Sequence, residues 1–327
     1  MECPGGGRVG WVDADDHLRI ESLMGSSPAS ILIVGSGSMA CLFAARLSAA
    51  GVAVTMLGGW PAGLQALRQD GVTVVEADGG ERSFPVEITD DPLDCTGARF
   101  ALVLVKSWQT ERAARQLADC LATDGVALTL QNGIGNREKL SRLLGGQRVA
   151  LGVTTIGANL LGPGRVRPAG EGVISLGAHP LMGQMAVILR AGGFLVEMSP
   201  DPNGLLWGKL VINAAINPIT ALLGITNGEL LERLPARVLL ATVAREAAAV
   251  AVAQGVRLPY PDPAVAVETI ARRTATNRSS MLQDVARGAP TEIDAICGAI
   301  VEAGERTGVP TPANRTLWHL VKALSAR

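Results

Sequence analysis

Residues 30–57 read SILIVGSGSMACLFAARLSAAGVAVTML, and this stretch decides the fold of the N-terminal half of the chain. The apolar residues 31–34 form the first predicted strand, and a helix is predicted over residues 41–50. Gly51 ends that helix, and residues 52–57 form the second predicted strand. A strand, a helix and a second strand within about 30 residues make a βαβ unit, the building block of parallel α/β sheets.

The loop between the first strand and the helix contains Gly35, Gly37 and Ala40 in a Gly-x-Gly-x-x-Ala pattern. The first glycine permits a tight turn, the second lets the backbone approach a pyrophosphate, and the small third residue lets the helix pack on the strand. The helix N-terminus then offers free N–H groups to phosphate. This context predicts dinucleotide binding by Gly35, Ser36, Gly37, Ser38, Met39 and Ala40. The alternative is an ordinary glycine turn.

The type of nucleotide is less clear from the sequence. An acidic residue at the end of the second strand would bind the ribose hydroxyls of NAD, and a basic one would bind the phosphate of NADP. This chain has Gly58 and Gly59 there. Lys106, just after another predicted strand, could reach the same adenosine end because ligands lie beyond the carboxyl ends of the strands. A solvated loop lysine is the alternative for Lys106.

The remaining sequence predicts two domains. Further strands are predicted at residues 72–75, 84–88, 101–105 and 126–130, a helix at 112–122, and a β-rich stretch at 149–196. Fully apolar strands such as 101–105 are typical of a parallel sheet covered on both faces. After a turn-rich break near residue 200, helices are predicted at 205–223, 227–254, 262–287, 291–307 and 313–326. We therefore expect a flexible tail (1–29), an α/β Rossmann-type domain (30–200) and an all-α domain (201–327).

Composition excludes several classes of protein. The chain has 327 residues, and its 29 Lys and Arg against 30 Asp and Glu leave a net charge of −1. Proteins that bind nucleic acid or anionic membranes through surface charge are basic, so neither partner is expected. The sequence contains no run of 18 apolar residues, so no membrane span is expected. Residues 1–29 lack the basic segment followed by an apolar segment that is typical of a signal peptide. Met24, just before the first predicted strand, is an alternative start to Met1.

Cysteine and histidine usage points the same way. The five cysteines include no Cys-x-x-Cys pair, which predicts a reduced, cytoplasmic protein. The three histidines lie far apart in the sequence, so we expect neither a metal site nor a His–Asp relay.

A narrow polar stripe lies on an otherwise apolar helix. Lys209, Asn213 and Asn217 are spaced four residues apart, which places them within an arc of about 80° on one face. Buried polar groups without partners cost a few kcal/mol, so these side chains need a bound polar ligand or an internal network, unless this face is partly exposed to water. A lysine in such surroundings has a lowered pKa, and Lys209 is therefore the candidate general acid. Pro218 is expected to end or kink this helix.

A second polar constellation runs from Asn277 to Asp284 and continues at Thr291. Thr291 is predicted to cap a helix, with Asp294 at the capping-box position. Glu292 would then complement the helix dipole, or else accept a hydrogen bond from a substrate or cofactor hydroxyl. The spacing leaves both roles open.

Together these segments resemble the ketopantoate reductase family from about residue 31 to the C-terminus. The residues that carry the resemblance are the glycine loop, Lys106–Gln109, Gln131–Gly133, Trp207–Lys209 with Asn213 and Asn217-Pro218, Asn227–Glu229, Asn277–Asp284 and Thr291–Asp294. The glycine loop is shared by many families, whereas the lysine–asparagine helix and the Ser-Ser-Met-Leu-Gln-Asp run are more specific to this one. The family often has a basic residue where Gly58-Gly59 stands, so the choice between NADPH and NADH stays open.

The resemblance implies NADPH-dependent reduction of 2-dehydropantoate to (R)-pantoate in pantothenate biosynthesis, in a cleft between the two domains. Lys209 would be the general acid, and Glu292 would hold the ternary geometry. The implied substrate contacts are Asn132, Asn213, Asn217, Asn227, Asn277, Ser279 and Ser280. The implied cofactor contacts, beyond the glycine loop, are Lys106, Asn132, Ala158 and Glu292.

Two rival functions remain. One is a related NAD(P)H-dependent reductase of another 2-oxo acid, because a fold does not determine a substrate. The other is a nucleotide-sensing protein without catalysis, which would not need Lys209, Asn213 and Glu292 together. The apolar helices leave room for a homodimer interface.

Overall fold

The computed structural model describes residues 30–325, so the predicted tail lies outside the described residues. These residues form two compact units. The first consists of residues 30–105, 109–131 and 137–200, and the second of residues 106–108, 132–136 and 201–325. The two short segments, 106–108 and 132–136, depart from the division expected from the sequence, because their contacts group them with the C-terminal helices.

The first unit contains all the described strands and five helices. The strands are β1 (Ser30–Val34), β2 (Ala53–Leu57), β3 (Val72–Val75), β4 (Glu81–Phe84), β5 (Glu87–Thr89), β6 (Ala98–Val103), β7 (Leu121–Thr129), β8 (Val149–Thr154), β9 (Gly157–Gly162), β10 (Arg165–Gly170), β11 (Val173–Leu176) and β12 (Leu195–Met198). The helices are α1 (Ser38–Ala49), α2 (Pro61–Asp70), α3 (Thr110–Cys120), α4 (Asn136–Leu144) and α5 (Met182–Ala191).

The main sheet has the strand order β12-β11-β8-β7-β6-β1-β2-β5 within the described chain. In this order, the six strands from β8 to β5 are parallel to one another, as expected from fully apolar strands such as β6. Strand β11 runs antiparallel to β8 and parallel to β12, so the parallel arrangement expected from the apolar strands ends at β8. The chain reverses its winding direction between β1 and β6, and ligands bind at this switch point in open α/β sheets.

A second sheet with the order β4-β3-β10-β9 was not anticipated from the sequence. Helix α1 contacts strands of both sheets and is buried from Ala40 to Leu47. A helix that is apolar on all sides belongs in a core. The strand expected at residues 84–88 is divided at Pro85, because proline lacks the N–H that a ladder needs: β4 belongs to the small sheet and β5 to the main one.

Among the described residues, the second unit has helices as its regular elements. They are α6 (Pro202–Leu223), α7 (Glu229–Glu232), α8 (Leu234–Ala253), α9 (Pro263–Arg273), α10 (Ser280–Ala286), α11 (Cys297–Thr307) and α12 (Pro312–Ser325). The predicted helices at 227–254 and 262–287 are each interrupted, at Arg233 and at residues 274–279. The fold class predicted from the sequence, a Rossmann-type α/β part followed by a helical part, is confirmed.

Helix α6 is the central helix of the second unit. Asp201 caps its first turn by accepting the Gly204 N–H at 2.8 Å, and Gly224 ends it in the left-handed conformation. Within residues 30–325 it is the one helix long and apolar enough to cross a membrane, but 67 % of its most apolar window is buried in the unit, as in a core helix.

Pro218 does not end this helix, because α6 continues to Leu223, and the alternative of a kink at Pro218 stays a prediction. Proline removes the N–H that would bond the carbonyl four residues earlier. That carbonyl belongs to Ala214, and the Cys297 thiol donates to it at 3.9 Å. A substitute donor from α11 thus lets the helix pass through the proline.

Candidate functional site

The glycine loop of the first unit has the geometry that a dinucleotide needs. Gly35 has φ +131°, a region that favours glycine, and its N–H bonds the Leu57 carbonyl at 2.8 Å. A Cβ at Gly35 would lie 3.2 Å from the carbonyl carbon of Leu104, the residue directly after β6. The backbone at Gly35 therefore packs closely against that segment. The first glycine therefore has a steric reason to be glycine.

Gly37 has a different reason. A Cβ placed there would meet nothing within 4 Å, so the space in front of it is open. Gly37 is the N-cap of α1 and has no side-chain capping bond, which leaves N–H groups of the first turn available. Ser38, Met39 and Ala40 are the first residues of that turn. Open space, free N–H groups and the positive helix end fit a pyrophosphate.

Ala158, the other cofactor candidate in the first unit, lies on β9 of the small sheet. It is half-buried and contacts the core of the unit. Its role toward a cofactor stays a prediction.

Lys209 lies on α6 in the second unit, and its side chain is half-buried. Removal from water lowers the pKa of Lys209 to about 8, although the nearby negative charge of Glu292 acts in the opposite direction. An ammonium with this pKa is still protonated at pH 7 and gives up its proton readily. The sequence-based expectation of a lowered pKa for Lys209 agrees with this environment.

Glu292 is buried, with 6 % of its surface exposed, and its carboxylate is surrounded by donors. One oxygen accepts the Ser107 N–H at 3.0 Å, and the other accepts the Asn132 side-chain amide at 3.2 Å. The Lys106 ammonium lies 3.7 Å from the second oxygen. Segments 106–108 and 132–136 thus group with the second unit because they supply the partners of this buried acid.

Lys106 has a second, closer partner. Its ammonium is 2.6 Å from Asp284, which also accepts from Arg287 at 2.9 Å. Burial alone would lower the pKa of Lys106, but the carboxylates of Glu292 and Asp284 outweigh burial and raise it. The sequence reading placed Lys106 at the adenosine end of a cofactor. Its contacts in the second unit are with these acids, and its role toward the cofactor stays a prediction.

The interpretation of Thr291 and Asp294 as a capping box is wrong. The residues from Ile293 to Ala295 form a single 3₁₀ turn whose N-cap, Glu292, makes no side-chain capping bond. Asp294 instead accepts from the Trp318 indole at 2.7 Å and from Lys322 at 3.0 Å. Tertiary partners on α12 outweigh the local capping pattern.

Three of the predicted substrate residues carry amides available to a ligand. The side chains of Asn213 and Asn217, on the same helix as Lys209, have no hydrogen-bond partner among residues 30–325, and Asn217 is buried. Asn227 donates to the Thr274 hydroxyl at 2.9 Å, but its side-chain oxygen is buried and has no partner in the described part of the chain. Buried polar atoms of this kind need a partner, and a ligand hydroxyl or amide would supply one.

The run from Asn277 to Ser280 lies at the start of α10. Ser279 caps this helix by accepting the Leu282 N–H at 3.1 Å, and its hydroxyl is 2.7 Å from that of Thr220 on α6. The Asn277 carbonyl accepts the Asn227 N–H at 3.0 Å. The side chains of Asn277 and Ser280 are exposed. Ser279 therefore has a structural role, whereas Asn277 and Ser280 are free to meet a ligand.

Sequence reasoning missed Asp284 and Arg287 as members of the site. The signal was present for Asp284, since an acid within an apolar helical run needs a cation when it is buried. What the sequence could not show was that Lys106, 178 residues earlier in the chain, is that cation.

Comparison with known proteins identifies the same relationship over both units. A family model described as "Ketopantoate reductase PanE/ApbA" matches residues 31–180, and one described as "Ketopantoate reductase PanE/ApbA C terminal" matches residues 202–325. The 2-dehydropantoate 2-reductase of Halobacterium salinarum is 36 % identical over 299 residues, which cover 89 % of this chain and 97 % of that protein.

Solved structures are similar over the same range. A PanE/ApbA family ketopantoate reductase from Ralstonia eutropha JMP134 matches with a TM-score of 0.84 and 34 % identity, covering 90 % of this chain and 98 % of that one. D-mandelate dehydrogenase with NADH and anilino(oxo)acetate matches with a TM-score of 0.85 and 26 % identity, covering 90 % of this chain and 98 % of that one. Because the family models and the relatives span both units, the chain belongs to the ketopantoate reductase family.

Proposed function

We propose that this chain reduces 2-dehydropantoate to (R)-pantoate with NADPH, as a step of pantothenate biosynthesis. The observation that carries the proposal is Lys209, a half-buried lysine whose pKa is lowered to about 8. Its helix also bears two amides that have no hydrogen-bond partner among the described residues. Similarity to proteins named 2-dehydropantoate 2-reductase supports this substrate. A carbonyl reductase needs such an acid close to polar groups that orient a small substrate.

The glycine loop of the first unit would hold the dinucleotide. Gly35, Gly37 and the first turn of α1 would contact the pyrophosphate, since Gly37 leaves open space and its helix leaves N–H groups free. When bound, the nicotinamide supplies the hydride.

Lys209 would act at the carbonyl oxygen of the substrate. Its ammonium stabilises negative charge as it develops on that oxygen and then donates the proton that completes the alcohol. Glu292 favours the ammonium form of Lys209, and its own orientation is secured by Ser107 and Asn132. Glu292 therefore sets both the charge and the geometry around the acid.

The remaining polar groups would orient the substrate. Asn213 and Asn217 would bind its hydroxyl end. The side-chain oxygen of Asn227, which has no partner among residues 30–325, would accept a further hydrogen bond. Ser280, exposed at the first position of α10, would receive the carboxylate. A site built to bond a hydroxyl discriminates strongly against analogues that lack it, because its own polar groups are then left unpaired.

The direct test is a substrate panel. We expect NADPH oxidation with ketopantoate to exceed that with branched 2-oxo acids lacking the terminal hydroxyl by about 10²-fold or more in kcat/KM. Equal kcat/KM values across the panel would remove the assignment of Asn213 and Asn217 to the hydroxyl end. Failure to oxidise NADPH or NADH with any 2-oxo acid would overturn the proposed activity.

The second candidate is reduction of a different 2-oxo acid with NADH. It is favoured by the similarity to D-mandelate dehydrogenase, whose structure contains NADH and anilino(oxo)acetate. An aryl 2-oxo acid in the same panel, assayed with both nucleotides, distinguishes the two candidates.

The pH dependence should report Lys209. Reduction requires the ammonium, so kcat should be constant below the pKa of Lys209, about 8, and fall tenfold per pH unit above it. Oxidation of the alcohol product requires the neutral amine and should rise through the same range.

Glu292→Gln tests this coupling. Because the Glu292 carboxylate raises the pKa of Lys209, its loss should move the decline in kcat to lower pH. Asp294→Asn is the matched control: Asp294 lies two residues away, is exposed and pairs with Lys322. A profile that moves equally in both variants, or in neither, would contradict the coupling.

A further inference from the structure

The carboxyl end of β2 lacks the residue that normally distinguishes NAD from NADP. Gly58 and Gly59 follow Leu57 directly, and neither offers an acid to a ribose hydroxyl or a cation to a phosphate. On the sequence alone, the preference between the two nucleotides is therefore undetermined at this position.

In the first unit a cation from another element lies on this glycine pair. A Cβ built at Gly59 would be only 2.6 Å from Nη1 and 2.7 Å from Cζ of Arg112, so the guanidinium rests directly on the Gly59 backbone. Arg112 belongs to the first turns of α3, which follows β6 in the chain. Any side chain at residue 59 would occupy the space that the guanidinium fills.

The glycine loop borders the same pair from the other side. A Cβ at Gly58 would lie 3.1 Å from the Ser36 hydroxyl oxygen, and the Gly58 N–H bonds the Thr89 carbonyl at 3.0 Å. Ser36 is the middle residue of Gly35-Ser36-Gly37. The dinucleotide loop and Arg112 thus meet at the same two residues, all within one unit.

The guanidinium of Arg112 is also available to a ligand. It is exposed, and no carboxylate among residues 30–325 forms an ion pair with it. The planar guanidinium binds phosphate through two parallel N–H groups, which suits it to a phosphomonoester on a ribose. A cation at the ribose end of a dinucleotide fold, with no ion-pair partner in the described part of the chain, has the chemistry of a phosphate receptor.

We propose that Arg112 recognises the 2′-phosphate of NADP(H) and so determines the preference of this chain for the phosphorylated nucleotide. This inference rests on the proposed function, which supplies the dinucleotide. Arg112 takes the place of the basic residue absent from the end of β2, and Gly59 provides the room that its guanidinium needs.

Binding of nucleotide fragments tests this without catalysis. Adenosine 2′,5′-bisphosphate and AMP differ by the 2′-phosphate alone, and calorimetry can measure both against the wild-type chain, Arg112→Ala and Arg115→Ala. Arg115 is an exposed arginine one turn later on α3, so its removal changes the net charge equally. We expect Arg112→Ala to weaken bisphosphate binding about 10- to 100-fold and to leave AMP unchanged. Arg115→Ala should change neither by more than about threefold.

A second variant should shift the preference toward the unphosphorylated nucleotide. Gly59→Asp displaces the guanidinium and places an acid beside the ribose, so it should weaken bisphosphate binding and favour the unphosphorylated nucleotide. Residue 59 is not among the glycines with positive φ, so the substitution needs no unfavourable backbone conformation.

The outcomes separate this inference from the proposed function. Equal affinity of the wild-type chain for the two fragments, or an Arg112→Ala variant that binds the bisphosphate as tightly as wild type, would overturn the role of Arg112. Either result is compatible with ketopantoate reduction. Selective, Arg112-dependent binding in a chain that reduces no 2-oxo acid would overturn the proposed function and leave the role of Arg112 intact.

Discussion

Lys209→Ala should lower kcat for reduction of the 2-oxo acid by about 10²- to 10⁴-fold, the contribution typical of a positioned general acid. The reason is that Lys209 is the half-buried lysine of α6 and the group whose lowered pKa, about 8, suits proton donation near neutrality. Affinity for the dinucleotide should be unchanged, because Lys209 is not among the residues expected to contact the dinucleotide. Steady-state kinetics and circular dichroism measure both effects on the same sample.

Two companion experiments sharpen this prediction. Lys209→Arg keeps the positive charge but not a proton that can be released, so kcat should stay low while substrate binding is largely retained. Small primary amines added to Lys209→Ala should restore part of the activity, increasingly for amines of lower pKa. Turnover of Lys209→Ala within tenfold of wild type would remove Lys209 from the mechanism.

Gly133→Ala should damage the site from a distance. Gly133 has φ +81°, and a Cβ there would lie 2.9 Å from the carbonyl carbon of Ala295, which is backbone and cannot rotate away. Gly133 follows Asn132 directly and Ala295 lies three residues after Glu292, so a displacement here should disturb the Asn132–Glu292 hydrogen bond of 3.2 Å. We expect a loss of about 1–3 kcal/mol in the free energy of unfolding and a fall of about tenfold or more in kcat/KM.

Gly135→Ala is the control that separates backbone strain at a positive φ from the steric clash expected in Gly133→Ala. Gly135 has φ +90°, but a Cβ there would meet nothing within 4 Å. This variant should therefore show a loss of stability from strain, with little effect on kcat/KM. If both variants lose the same kcat/KM, the contact between residues 133 and 295 does not position Glu292.

The Rossmann part of the fold and its glycine loop could be predicted, because they are encoded locally. Strands β1 and β2, the helix between them and the residues of the turn lie within 28 consecutive positions. Helical periodicity likewise placed Lys209, Asn213 and Asn217 on one face of α6. Each inference needed only the spacing of neighbouring residues.

The remainder depends on contacts between distant parts of the chain. The ion pair of Lys106 with Asp284 joins residues 178 positions apart, and no spacing rule relates them. The path of α6 through Pro218 relies on the Cys297 thiol of another helix. The small sheet pairs β3 with β10, about 90 residues later in the chain, and no local pattern relates the two strands. Arg112 could not be connected with Gly59 for the same reason.

The low pKa of Lys209 also has a thermodynamic consequence for the whole chain. A lysine whose pKa is about 8 in the folded state and 10.5 in water makes folding less favourable at every pH below about 8, and this penalty disappears as the pH rises toward 10.5. For a half-buried group the cost is of order 1–3 kcal/mol. Mutational drift toward methionine or leucine at this position would relieve it and make the protein more stable. The lysine therefore persists only while selection acts on chemistry, and its loss in a descendant chain would indicate a protein that has kept the fold and abandoned the reaction.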